Sequence, residues 1–179
     1  MKKRSIRRDI IDTAARLFYK QGYCNTGINQ IIEEAGIAKT SLYQYFNSKE
    51  DLLVVYLEES GIRTYEALQQ AIATVESPRD KMIAVFDYLE TLVQQKEFSG
   101  CNFLNIVYEI PEQAIRVKEQ IKLQKDSVRK LFAETLKPID KEMMADELYM
   151  VFEGALIGNK VHNDVWPILS AKNIVKKLI

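Results

Sequence analysis

The stretch Thr26–Leu52, TGINQIIEEAGIAKTSLYQYFNSKEDL, constrains the fold of this chain more than any other. Ile28, Ile31, Ile32 and Ala35 recur at the spacing of one helical face, and Thr26 stands where its hydroxyl would cap the opening turn. Gly36 follows at once. A glycine there enters the left-handed backbone region that ends a helix and turns the chain, leaving Ile37 to anchor the turn. A second short helix is expected over about Lys39–Phe46, burying Leu42 and Phe46 and presenting Lys39, Thr40, Ser41, Tyr43, Gln44 and Tyr45 outward. That outer face carries no acid. Lys and Gln can meet base edges, Thr and Tyr can touch a thymine methyl, and hydroxyls reach phosphates, so the face suits a DNA major groove. An ordinary surface helix has the same elements, so the pattern needs support from elsewhere in the chain.

Charge supplies some of it. Lys and Arg balance Asp and Glu at 25 each over the 179 residues, but residues 1–50 hold nine of the bases and five of the acids. A basic head on an acidic body fits a polyanion-binding module joined to one that is not. Lys2, Lys3, Arg4, Arg7 and Arg8 belong to this head and are expected to add affinity through phosphates or an adjacent minor groove.

Gly22-Tyr23, Thr26, Ile31, Ala35-Gly36-Ile37, Leu42-Tyr43, Tyr45-Phe46, Lys49-Glu50 and Leu52, behind Ala15, Leu17 and Phe18, together resemble the N-terminal domain of TetR-type transcriptional regulators. The resemblance covers about the first third of the chain. It implies an all-α protein: a three-helix helix-turn-helix domain over 1–48, joined by a long helix to a helical effector-binding and dimerisation domain over 49–179. Base contacts are expected from Lys39, Thr40, Tyr43 and Gln44, with Asn29 from the preceding helix, and phosphate contacts from Thr26, Ser41, Tyr45 and Lys49. The implied partners are a palindromic operator in double-stranded DNA, a second copy of the chain, and a small-molecule effector that releases a repressor. Two positions depart from the family pattern. Ile32 stands where a small Ala is usual, and Ala38 stands where a Ser usually caps the recognition helix, a cap worth about 1 kcal/mol.

Beyond residue 48 the pattern stays helical. Ser48 opens a connector running to about Thr74, and Ser77-Pro78-Arg79-Asp80 is a capped helix start with Pro in its first turn. Further helices are expected over 101–110, 112–137, 141–161 (capped by Asp140) and 168–179. An apolar effector pocket is expected from Phe86, Leu89, Phe103, Tyr108, Phe152 and Trp166, with Asn105 and His162 as polar fixtures; each of these residues also suits an ordinary core. Dimerisation is assigned to Phe152, Ala155, Leu156 and Gly158, because small residues four apart let helices approach closely. The alternative for Gly154 and Gly158 is packing within one subunit.

The sequence carries no phosphate-cradling glycine loop, HExxH, CxxC or nucleophile elbow, and one histidine, which argues against an enzyme, a metal or a cofactor. Cys24 and Cys101 have no ligand spacing and read as small buried hydrophobes. No apolar run approaches the roughly 20 residues of a membrane span, and the basic N-terminus leads into an amphipathic helix rather than a cleavable signal, so a cytoplasmic protein is expected. A helical module that docks on a protein is the competing expectation; the basic head argues against it.

Overall fold

A computed structural model describes residues 5–179, and among these all regular structure is helical. The basic residues Lys2, Lys3 and Arg4 lie outside the described residues.

Helix α1 (Ile6–Gln21) starts at Ser5, whose hydroxyl accepts the Arg8 amide at 3.3 Å, and ends at Gly22 with φ +90°. Its buried face is Ile10, Ile11, Ala14, Leu17 and Phe18. Helix α2 (Ile28–Ala35) ends at Gly36 in the left-handed region, φ +64°, where the Gly36 and Ile37 amides close back on Ile32 and Glu33 carbonyls. Only a residue without a Cβ adopts this turn at no steric cost. Helix α3 (Lys39–Tyr45) follows immediately, and α4 (Lys49–Ala73) is the long connector. Ser48 accepts the Asp51 amide at 3.1 Å at its start.

Helix α5 (Pro78–Val93) has the expected Ser77 cap, accepting from Asp80 at 3.0 Å. Helix α6 (Asn102–Val107) is shorter than expected, and α7 (Ile115–Leu136) begins after a turn through Pro111. Asp140 does not cap the next helix. It adopts a left-handed conformation, φ +53°, after one 3-10 turn, a second 3-10 turn follows, and α8 (Ala145–His162) starts at Ala145. Helix α9 (Trp166–Leu178) takes Trp166 and Pro167 into its first turn.

Contacts divide the chain into two compact units. One joins the residues up to Gly61 with Asn102–Lys122; the other joins Ile62–Cys101 with Leu123–Ile179. In the first, Phe18 packs at 5.4 Å from Tyr23 and 5.8 Å from Tyr56, over a core that includes Ile31, Leu42, Phe46, Leu53 and Leu57. In the second, α9 packs on α5 and α8, and Phe152 meets Phe86 and Phe132 edge to face at 6.2 and 5.6 Å. Pro167 lies so close to Gly158 that an added Cβ would come within 2.9 Å of it, so this glycine serves packing within one chain. Lys125 and Glu153 form an enclosed ion pair at 2.7 Å, with 16% and 13% of their side chains exposed. Burial, the Glu153 carboxylate and Cys101 push the neighbouring Tyr149 hydroxyl well above its ordinary range.

Candidate nucleic-acid interface

Helices α1, α2 and α3 pack on one another, and Leu42 and Phe46 fix the orientation of α3 by entering the core. The residues between them are left outside. Lys39, Thr40, Tyr43, Gln44 and Tyr45 are exposed, Ser41 is half-buried, and Asn29 is exposed on α2. The arrangement brings four hydrogen-bonding side chains and two aromatic rings onto one short helix with no acid among them. Ala38 sits at the N-cap in extended conformation, φ −74° and ψ 147°, and supplies no side-chain bond.

Two expected phosphate ligands are placed differently. Thr26 is fully buried, and its hydroxyl donates to the Gly22 carbonyl at 2.7 Å; it neither caps α2, whose N-cap is Gly27, nor reaches the surface. Thr26 closes the α1–α2 turn. Lys49 is half-buried and points into the same turn: its ammonium donates to the Tyr23 and Thr26 carbonyls, each at 2.9 Å, and lies 4.0 Å from the centre of the Tyr23 ring. Desolvation lowers its pKa, with Cys24 and Glu109 opposing.

The basic residues of α1 also divide. Arg7 lies over the Phe46 ring at 5.4 Å, behind α3. Arg8 is engaged with Asp12 and with Glu59 of α4, and Arg16 with Glu34 of α2 at 2.6 Å. The Arg8–Glu59 and Arg16–Glu34 pairs tie helices together, and Lys39 is the one cation of α3 itself. Sequence gave no sign of the contacts made by Glu109 and Arg116, which come from 85 and 65 residues away to meet Cys24 and Asp51.

The other expected sites separate. Phe86, Leu89 and Phe152 are buried in the second unit; Phe103 is buried in the first, where Asn105 is half-buried and Tyr108 is 81% exposed. His162 and Trp166 are exposed and their rings meet at a tilt of 54°, 5.0 Å between ring centres. Of the residues assigned to dimerisation, Phe152, Ala155 and Leu156 face the core of their own chain, and Gly158 faces Pro167. The outer side of α8 carries Met150, Gly154, Ile157 and Val161, four exposed positions spaced four, three and four apart.

A short helix with a polar, acid-free face, held by two core residues behind a left-handed glycine turn, has the form of a helix-turn-helix DNA-binding domain. Residues 10–55 match the family model of bacterial regulatory proteins, tetR family. The HTH-type transcriptional regulator YxaF of Bacillus subtilis is 41% identical over 73 residues, a match that spans 40% of this chain and 38% of YxaF. An HTH-type transcriptional regulator of Lactococcus lactis is 24% identical over 181 residues, covering 97% of this chain and 92% of its own. The reduced form of NemR from E. coli has the same fold, with TM-score 0.87 at 21% identity over 96% of this chain and 95% of that one. No helix among the described residues is long and apolar enough to cross a membrane.

Proposed function

We propose that the protein is a ligand-responsive repressor that binds a palindromic operator as a homodimer and is released by a small molecule. The observation that carries this reading is the acid-free outer face of α3, on a head whose sequence matches the family. In it Lys39, Thr40, Tyr43 and Gln44 read bases, with Asn29 from α2, while Ser41 and Tyr45 hold phosphates.

One such head reads only a few base pairs, so two are needed on half-sites about one DNA turn or a multiple apart. The exposed stripe Met150, Gly154, Ile157 and Val161 on α8, with Leu169 and Ile174 exposed on α9, is the self-complementary surface proposed for the pairing. The effector is assigned to the aromatic core of the second unit around Phe86, Leu89 and Phe152. It releases DNA only by favouring one conformation of the dimer over the other.

Selection of bound duplexes from a random pool, repeated at two salt concentrations, tests the reading. An inverted repeat held with salt-sensitive affinity supports it. A folded dimer that recovers only weakly held random DNA would reject it.

A further inference from the structure

The turn between α1 and α2 is gripped from two sides. Lys49 holds its carbonyls at Tyr23 and Thr26. On the amide side, Glu109 Oε2 accepts the Cys24 N–H at 2.7 Å, and the Cys24 thiol donates to the Glu109 main-chain oxygen at 3.2 Å. The Glu109 carboxylate also lies flat against Gly22, where an added Cβ would come within 2.8 and 2.9 Å of its two oxygens. Gly22 therefore does two things: its φ of +90° ends α1, and its missing side chain admits Glu109.

Glu109 belongs to Asn102–Lys122, the segment whose contacts join it to the DNA-binding head although its neighbours in the chain, Cys101 and Leu123, belong to the other unit. The same segment reaches α4 a second time, through Arg116 to Asp51 at 2.6 Å. We propose that Glu109 is a positioning residue for DNA binding: it sets the α1–α2 turn, and through it the placement of α2 and α3, so that the α6–α7 segment controls operator affinity. A carboxylate accepting a main-chain N–H is a strong, charge-assisted bond. Cys24 stands four residues before α2 begins at Ile28, within a turn closed by the Thr26 amide on the Tyr23 carbonyl, so a shift of Glu109 is passed to α2 through that closed turn. This inference rests on the DNA-binding reading above.

The test uses the full-length protein with Glu109→Ala and Glu109→Gln. Amide exchange at Cys24 is followed without DNA, and affinity is measured for the duplex selected by the wild type. Glu109→Ala is expected to speed Cys24 exchange and to weaken operator binding, each about tenfold, from the loss of one charged hydrogen bond. The salt dependence should not change, because no phosphate contact is removed. Glu109→Gln keeps an acceptor oxygen at the same reach and should recover most of both effects. Unchanged exchange in Glu109→Ala overturns the proposal, as does faster exchange with operator affinity within about twofold of wild type. A wild type that holds no selected duplex overturns the DNA reading and this role with it, while the exchange rates still decide whether Glu109 holds the turn.

Discussion

Lys49 donates to the main-chain carbonyl of Tyr23 at 2.9 Å while lying 4.0 Å from the centre of that residue's own ring. A lysine at the start of α4 thus acts as a prop beneath the α1–α2 turn, with two of its three donors spent on carbonyls. Lys49→Met should destabilise the protein by about 1.5–3 kcal/mol, the range for hydrogen bonds to a charged group. Operator affinity should fall through the loss of a stable head, with the salt slope unchanged. Lys39→Ala should instead leave folding stability nearly unchanged and relax the sequence preference at particular base positions. Chemical denaturation and binding to duplexes with single base changes separate the two effects.

Ala38 has the backbone of an N-cap and lacks the side chain for it. Ala38→Ser is expected to stabilise α3 by about 1 kcal/mol. Slower amide exchange at Thr40 and Ser41, with a raised melting temperature, would confirm the gain.

The α8 surface gives opposite expectations for two apolar residues five apart. Ile157 is exposed, and Ile157→Asp should give a folded monomer in sedimentation, because a charge would be buried unpaired in the interface. Phe152 meets Phe86 and Phe132 inside its own subunit. Phe152→Ala should cost about 3–5 kcal/mol of folding stability. If Ile157→Asp remained a dimer, the proposed stripe would be wrong.

Lys125 and Glu153 are enclosed together, so removing one partner strands the other's charge. Lys125→Met is expected to cost about 3–5 kcal/mol, and the double change Lys125→Met, Glu153→Met should recover most of it. A double-mutant cycle in denaturant measures this directly.

Asp51 is held below its usual carboxylate range first by the hydrogen bond from Arg116, with help from Ser48 and the Asn47 amide. A carboxylate whose folded pKa is depressed contributes stability above its unfolded pKa, about 3.9, and loses it as pH falls through the folded value. Arg116→Ala should therefore raise the Asp51 titration midpoint toward the ordinary value and move this acid-side loss to higher pH. Carboxyl NMR titration reads the shift.

Local chemistry explains how much was legible in the sequence. The Ser77 cap, the left-handed turn at Gly36, the missing cap at Ala38 and the outward face of α3 each depend on residues within one or two turns, and each stands where the sequence places it. Thr26 and Lys49 carry the chemistry of phosphate ligands, and nothing local says that one closes a turn and the other props it. Helix α8 has apolar or small residues on both sides, so periodicity could not choose which side meets its own subunit. Packing against α9, Phe86 and Phe132 made that choice, burying Phe152, Ala155 and Leu156 and leaving Met150, Ile157 and Val161 outside. The sequence by itself determined the first five helices, the turn at Gly36 and the outward face of α3, because these are set by short-range spacing and backbone preference. Tertiary structure alone decided the fate of the buried polar groups and joined Glu109 to Cys24, because hydrogen-bond partners 85 residues apart are selected by the packing of whole helices.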